Sequence, residues 1–348
     1  MSEQKPAIAI VGLGVIGASV GLCLRKAGAA SQVIGHDKSS ETSSRAKKSG
    51  AVDRTEWNLI SACEKADIVL LALPFGAVRE TLEAIAHYMR PGCVVLDTSA
   101  LKAPVVGWAD EILPAEAHFV GLDPIISSFA SPVERGAGAA GPAPEQLSTT
   151  EPRADLFQNG LICVVPSGRA APDAVKLGID LVTILGARPL FLDALEHDGL
   201  IALTGHLPPV LALALLGAAV NEPAWKEVRK LAGVPFETGT HSLITGAADS
   251  EEWLANRDNL LRKLDAFSES LSSIRAALVE GDVSSLDMLV EQATRERDAW
   301  LARRAAGDWD EIPRSEMPKR SLLQPLFGGL WPRKLKTATR RKSEDESR

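Results

Sequence analysis

Cysteine is scarce in this sequence. The chain of 348 residues has four, without a C-x-x-C pair and without a histidine at metal-ligand spacing: Cys23, Cys63, Cys93 and Cys163. This pattern excludes a disulfide-stabilised secreted domain and a structural zinc site. We therefore expect no bound metal and a reduced, cytoplasmic location.

Uninterrupted hydrophobic runs of membrane length are also lacking. Two charge-free stretches, 7–24 and 200–220, approach the ~20 residues that a spanning helix needs. Glycines interrupt the first stretch, and Pro208-Pro209 interrupts the second. We therefore expect a buried strand-turn-helix at the first and a buried core helix at the second.

An excess of positive charge is missing from most of the chain. The formal net charge is -7, and residues 313–348 carry ten Lys/Arg against four Asp/Glu, or +6, which leaves 28 against 41, or -13, on the remainder. An acidic body excludes nucleic acid as the main partner.

The basic end, 308–348, is expected to be a disordered tail. Contact of its apolar segment, 322–331, with an anionic membrane is the less favoured alternative.

The hydrophobic pattern that is present divides the chain in two. Short apolar runs alternate with helix-length segments, at 7–11, 33–37, 67–73, 94–97, 119–121, 161–165 and 189–193. They predict an α/β domain over 1–193, a Rossmann-type doubly wound sheet with later antiparallel additions and a mobile loop at 127–152. Residues 194–307 have a wholly helical pattern. A helical domain of this size commonly packs against a copy of itself, so we expect a homodimer.

A glycine turn follows the first predicted strand and opens a helix. Its residues are Gly12-Leu13-Gly14-Val15-Ile16-Gly17. In such a turn the first glycine permits the bend, the second lets the backbone approach a pyrophosphate, and the third lets helix and sheet pack closely. The free N–H groups of the helix then bind the pyrophosphate. The sequence therefore predicts a dinucleotide site.

The acid expected of such a site is present. Asp37 ends the second strand at the ~20-residue spacing that the fingerprint requires, where it accepts hydrogen bonds from ribose hydroxyls and repels a 2′-phosphate. NAD is therefore expected rather than NADP, although basic residues nearby favour NADP: Lys38, Arg45 and Lys47. Leu73 and Pro74, at the carboxyl end of the next strand, are expected beside the cofactor.

Further landmarks keep a fixed order along the chain. They are Leu96-Asp97-Thr98-Ser99-Ala100-Leu101-Lys102, Gly121-Leu122-Asp123-Pro124, Glu196-His197-Asp198, Gly205-His206-Leu207-Pro208 and Phe236-Glu237-Thr238-Gly239-Thr240-His241. With the glycine turn, they resemble the prephenate and arogenate dehydrogenase family over about 7–306. The resemblance implies an NAD-dependent oxidoreductase that oxidatively decarboxylates prephenate or arogenate toward tyrosine. It adds Ser99 to the cofactor-binding residues.

Three substrate positions depart from the family's pattern. Asp123 stands where the family has the histidine that takes the proton of the substrate's ring hydroxyl, and Ala100 replaces a serine that touches that hydroxyl. His241 replaces an arginine that holds the ring carboxylate. A carboxylate is a weaker base than an imidazole (reference pKa ~3.9 against ~6.5), and histidine lacks the bidentate fork of arginine. His206 matches the family's substrate-site histidine, so the predicted catalytic residues are Asp123, His206 and His241.

These changes leave several interpretations open. The intact glycine turn favours a dehydrogenase of prephenate, arogenate or a different hydroxy acid over a non-catalytic NAD-binding protein. Asp123 is either the base or a turn residue before Pro124. His197 is expected to cap a helix or to pack at the domain junction.

Overall fold

The computed structural model describes residues 5–125, 151–243 and 249–308. The predicted loop at 127–152 lies outside these residues except for its last two, and the predicted tail at 308–348 lies outside them except for Asp308. Within the described ranges, a sheet occupies the first part of the chain and helices alone follow it.

The described strands form one sheet. They are β1 (Ala7–Val11), β2 (Gln32–His36), β3 (Arg54–Thr55), β4 (Ile68–Leu71), β5 (Val94–Asp97), β6 (His118–Ile125), β7 (Leu161–Pro166) and β8 (Arg188–Phe191). Their order is β3-β2-β1-β4-β5-β6-β7-β8. All neighbours pair in parallel except β6 and β7, which pair antiparallel. The predicted Rossmann-type sheet is therefore confirmed, including its later antiparallel addition.

Helices cover both faces of this sheet. They are α1 (Val15–Ala27), α2 (Ser40–Lys48), α3 (Leu59–Cys63), α4 (Phe75–Ile85), α5 (Ala103–Ile112) and α6 (Pro172–Ile184). One buried hydrophobic cluster joins the sheet to α1 and α6, and a second joins it to α3, α4 and α5. Strands that are buried on both faces have no solvent side, which explains the unbroken apolar runs of β1 and β4. The sequence does not predict the strand β3, because this strand has two residues and no apolar run.

The chain after β8 is helical, as predicted. Its helices are α7 (Ala194–Ile201), α8 (Leu207–Val220), α9 (Trp225–Leu231), α10 (Val234–Thr240), α11 (Ser250–Ala255), α12 (Arg257–Glu280) and α13 (Val283–Ala306). A π-helical turn, Ala202–His206, joins α7 to α8. Pro208 and Pro209 explain it, because proline lacks an N–H to donate and its ring clashes with the carbonyl four residues earlier. Such widened turns are frequent at functional sites.

The helix α8 is more exposed than the sequence predicts. Leu213, Leu215 and Val220 are 51%, 43% and 47% exposed in the single chain. The helical run Ala194–Val220 is long and apolar enough to cross a membrane by length and composition, and only 28% of its most apolar window is buried. The prediction of a buried core helix is therefore wrong for the single chain, because the described residues supply too little surface to cover this helix.

Candidate active site

The glycine turn lies between the carboxyl ends of β1 and β4. This is where the strand order reverses and where doubly wound sheets bind their ligands. Gly12 has φ +92°, and a Cβ there would collide with the Ala72 carbonyl. A Cβ on Gly17 would collide with the Gly12 carbonyl, whereas a Cβ on Gly14 would meet nothing within 4 Å. The turn is therefore closed against the sheet and open at Gly14, as an approaching pyrophosphate requires.

The helix α1 begins at this opening. Its N-cap is Gly14, which makes no side-chain capping bond, and its first turn has no acidic residue. The N–H groups of the first turn are therefore available to an anion. Asp37 lies beside the turn, where its carboxylate accepts hydrogen bonds from the backbone N–H groups of Leu13 (2.9 Å) and Ser39 (2.8 Å). These residues fit the dinucleotide that the sequence predicts.

A buried ion pair follows strand β5. The Lys102 ammonium and the Asp97 carboxylate are both 0% exposed and lie 2.6 Å apart. Lys102 also donates to the Ser99 carbonyl at 2.7 Å, and the Ser99 hydroxyl donates to Asp97 at 2.8 Å. A buried pair needs such additional hydrogen bonds to offset the loss of hydration. The structure thus places Ser99 inside this network, next to the end of β5.

The central feature of the site is a buried chain of three side chains. Asp123, on β6, lies 3.1 Å from Nε2 of His197, and Nδ1 of His197 lies 3.0 Å from Asp198. His197 is 1% exposed. Burial by itself would lower the pKa of His197, but hydrogen bonds with Asp123, Asp198 and Cys163 outweigh it and raise that pKa to about 10. The imidazole is therefore held as a cation between two carboxylates.

Asp198 connects this chain to the sheet. Its carboxylate accepts hydrogen bonds from the backbone N–H groups of Lys102 (2.8 Å) and Ala103 (2.9 Å), where α5 begins. It therefore caps α5 from the neighbouring helix α7, because the first N–H groups of a helix have no partner within that helix.

A second group of polar side chains lies beside Asp198. Asn256 donates from Nδ2 to the Asp198 carbonyl at 2.8 Å, and the same nitrogen lies 3.4 Å from Nδ1 of His206. His206 is 2% exposed. Its Nε2 lies 3.9 Å from Oε2 of Glu252. The structure thus joins Asp123 to His206 through His197, Asp198 and Asn256.

The remaining predicted residues are placed less centrally. Leu73 and Pro74 follow β4 and lead into α4, next to the glycine turn. His241 begins a short 3-10 turn, His241–Leu243, and no described hydrogen bond or ion pair connects it with Asp123 or His206. The roles of these residues, and of Ala100, stay predictions.

Sequence reasoning missed three side chains of this buried polar network. His197 was assigned to capping or packing, and the structure places it against Asp123 as well as at the junction. Glu252 and Asn256 belong to no motif that the sequence analysis identified. Their partners lie far away in the sequence, on α7 and in the π-helical turn, so no local pattern points to them. The usable signal was Glu196-His197-Asp198, since a histidine next to an aspartate after the last strand is positioned to reach the sheet's carboxyl edge.

Two family models match the chain. One, described as "Prephenate dehydrogenase, nucleotide-binding domain", matches residues 20–190. The other, described as "Prephenate dehydrogenase, dimerization domain", matches residues 193–292. Together they span most of the chain and meet where the sheet gives way to helices.

Individual proteins agree with these matches. The prephenate dehydrogenase of Bacillus subtilis (strain 168) is 27% identical over 301 residues, which are 86% of this chain and 77% of the relative. The cyclohexadienyl dehydrogenase of Zymomonas mobilis subsp. mobilis is 27% identical over 307 residues, which are 86% of this chain and 97% of the relative. The solved structure of a prephenate dehydrogenase from A. aeolicus, in complex with hydroxyphenyl propionate and NAD+, has a TM-score of 0.71 at 21% identity, with 86% and 99% of the two chains covered. That likeness supports the fold.

Two glycines of the turn, Gly14 and Gly17, allow an effect on NAD binding to be separated from an effect on the stability of the fold. We expect Gly17→Ala to lower the free energy of unfolding by about 1–3 kcal/mol, because its Cβ has no room. We expect Gly14→Ala to leave the free energy of unfolding unchanged and to weaken NAD binding by about tenfold or more, because its Cβ enters the space for the pyrophosphate. Denaturant unfolding and NAD titration by fluorescence measure the two effects. Equal behaviour of the two variants in both measurements would contradict this account.

The charge on His197 makes stability depend on pH. Its pKa is raised above the unfolded value of ~6.5, so its stabilising contribution is complete below that value and is lost as the pH rises toward about 10. We expect His197→Asn to lower the free energy of unfolding by about 3–5 kcal/mol at pH 6, because two buried carboxylates lose their cation. The difference between native and variant should shrink between pH 6.5 and pH 10 in denaturant titrations. A difference that is constant with pH would show that His197 is uncharged.

Proposed function

The chain belongs to the prephenate dehydrogenase family, and from this premise we propose that it catalyses the NAD-dependent oxidative decarboxylation of prephenate or arogenate toward tyrosine. The enzyme is an NAD(P)-dependent dehydrogenase of this type, with NAD as the expected cofactor because of Asp37. The observation that carries the catalytic assignment is the buried chain Asp123–His197–Asp198 at the carboxyl end of β6.

Asp123 is the proposed proton acceptor. One of its oxygens is bound to His197, and the described residues provide no hydrogen-bond partner for the other. NAD, when bound, supplies the hydride acceptor. As hydride leaves the carbon, the hydroxyl on that carbon becomes acidic, so a carboxylate is a sufficient base although an imidazole is stronger. Asp123 takes the hydroxyl proton, and the ring becomes aromatic when the carboxylate on the opposite ring carbon departs as carbon dioxide and the electrons of its C–C bond enter the ring.

His197 is the proposed positioning residue for Asp123. It donates to Asp123 and to Asp198, and Asp198 is fixed in turn by two backbone N–H groups of α5. This arrangement holds the Asp123 carboxylate in one orientation, as a base needs. In the family's pattern the residue at this position on the sheet is a histidine. Here it is Asp123, and the imidazole of His197, on α7, donates a hydrogen bond to its carboxylate.

We further propose that the chain divides as the sequence predicts, into 1–193, 194–307 and a tail at 308–348, and that it forms a homodimer through the helical part. The matched description of residues 193–292 as a dimerization domain supports this pairing. The exposed apolar side chains of α8 support it as well, because a patch of this kind commonly marks a protein–protein interface.

The catalytic assignment is tested by following NADH formation from NAD with prephenate and with arogenate. We expect Asp123→Asn to lower kcat by about 10²–10⁴-fold, because the amide cannot take the proton. NAD affinity should be unchanged. Asp173→Asn, an exposed aspartate on α6, is the matched control and should turn over like the native chain. Normal turnover by Asp123→Asn would remove Asp123 as the base, and NAD binding without oxidation of either acid would favour the non-catalytic alternative.

The dimer is tested by molar mass in solution. We expect the native chain to sediment as a dimer and Leu213→Glu to sediment as a monomer, because a carboxylate in an apolar interface has no partner. Trp57→Glu, which removes an 86% exposed apolar side chain near the sheet, should remain a dimer. A monomeric native chain would refute the pairing.

A further inference from the structure

Glu252 enters the site from the first turn of α11. Asp249 caps this helix and accepts hydrogen bonds from the backbone N–H groups of Glu251 (2.9 Å) and Glu252 (3.3 Å). The Glu252 side chain is 15% exposed and points toward His206, with Oε2 at 3.9 Å from Nε2. That distance is too long for a hydrogen bond. The two groups therefore face each other without being bonded.

The proton on His206 is positioned by Asn256. Oδ1 of Asn256 accepts from Asn259 at 2.7 Å, so Nδ2 of Asn256 is its donor end. Nδ2 lies against Nδ1 of His206, which makes Nδ1 the acceptor and leaves the hydrogen on Nε2. Burial lowers the pKa of His206, against the opposing charges of Asp198 and Asp249, so the ring is neutral. Nε2–H is thus a buried donor without a partner among the described residues.

Glu252 is the acidic counterpart of this donor. The other carboxylates of the site have cations: Asp97 has Lys102, and Asp123 and Asp198 share His197. No described cation lies within ion-pair distance of Glu252, since His206 is neutral. Burial raises the pKa of Glu252 to about 7, the charges of Asp249 and Asp123 add to the rise, and Lys102 opposes it. A bound cation would supply the missing partner.

We propose that Glu252 and His206 form a subsite for an α-amino acid group, in which the Glu252 carboxylate binds the ammonium and Nε2–H of His206 donates to the neighbouring carboxylate. This subsite rests on the proposed function. It makes the enzyme selective for arogenate, which bears the amine, over prephenate, which is its keto counterpart. An α-amino acid presents a cation next to an anion, which matches one acceptor beside one donor. An α-keto acid presents two acceptors, and one of them faces the Glu252 carboxylate.

The test compares kcat/KM for arogenate and prephenate in the native chain and in Glu252→Gln. We expect the native chain to prefer arogenate and Glu252→Gln to lose about tenfold or more of that preference, mainly through a higher KM for arogenate. Glu252→Asp should retain part of the preference. Glu80→Gln, an exposed glutamate on α4, is the matched control and should keep the native ratio.

A dependence on pH separates recognition from a structural role. The ionised form of Glu252 binds the ammonium, so the native preference for arogenate should rise between pH 6 and pH 8 around the pKa of about 7. The charged and titratable groups around Glu252 are Asp249, Asp123, Asp198, His206 and Lys102, and all of them are kept in Glu252→Gln. The part of the pH dependence that comes from Glu252 should therefore disappear in that variant. A native preference for prephenate, or a ratio that Glu252→Gln leaves unchanged, overturns the proposal.

A measurement of ligand binding, which needs no turnover, tests the subsite independently of the proposed activity. Calorimetry on the NAD-loaded protein compares L-tyrosine with 4-hydroxyphenylpyruvate, which differ as the two substrates do. Tighter binding of L-tyrosine by the native chain, lost in Glu252→Gln, supports the subsite even where neither acid is oxidised and the proposed function fails. Equal binding of the two compounds by the native chain refutes the subsite whether or not the enzyme turns over.

Discussion

The carboxylate of Asp198 is the interaction on which the rest of the site depends. It caps the first N–H groups of α5, which come from the sheet part of the chain, and it accepts from His197, which comes from the helical part. Its own backbone carbonyl accepts from Asn256 on the other side. One residue therefore fixes the sheet edge, the acid–imidazole pair and the approach of His206. A charge at a helix N-terminus is stabilised both by the free N–H groups and by the helix dipole.

Buried charge is organised around this residue in alternating sign. Lys102 neutralises Asp97 on the sheet, and the cationic His197 lies between Asp123 and Asp198. Lys102, Asp97 and Asp198 also have further hydrogen bonds that replace lost hydration, which a buried charge requires. The arrangement is rigid for the same reason, since moving any member leaves another charge unpaired in a medium of low polarity. A site built in this way holds the proposed base, Asp123, in place before substrate arrives.

The residues of the glycine turn and those of the proposed substrate site are constrained by different interactions. Gly12 and Gly17 are constrained by backbone atoms at the switch point of the sheet, where any side chain collides. Asp123 and Glu252 lie against buried imidazoles, His197 for the first and His206 for the second, so charge and hydrogen bonding constrain these side chains. Under the proposed function, a substitution at Asp123 or Glu252 changes the group that is recognised and leaves the glycine turn unchanged.

The sequence by itself determined the fold class and the cofactor end. Apolar runs separated by helix-length segments specify a doubly wound sheet, and the spacing from Gly12 to Asp37 is set within one β-α-β unit, so both are local properties of the chain. The hydrogen bond of Asp123 with His197 spans 74 residues, and the approach of Glu252 to His206 brings a separate helix against the π-helical turn. Only the tertiary structure decided these contacts, because nothing local in the sequence specifies how α7 and α11 approach the sheet. The exposure of α8 was likewise decided by how much surface the folded chain could supply, which a pattern of apolar residues does not measure.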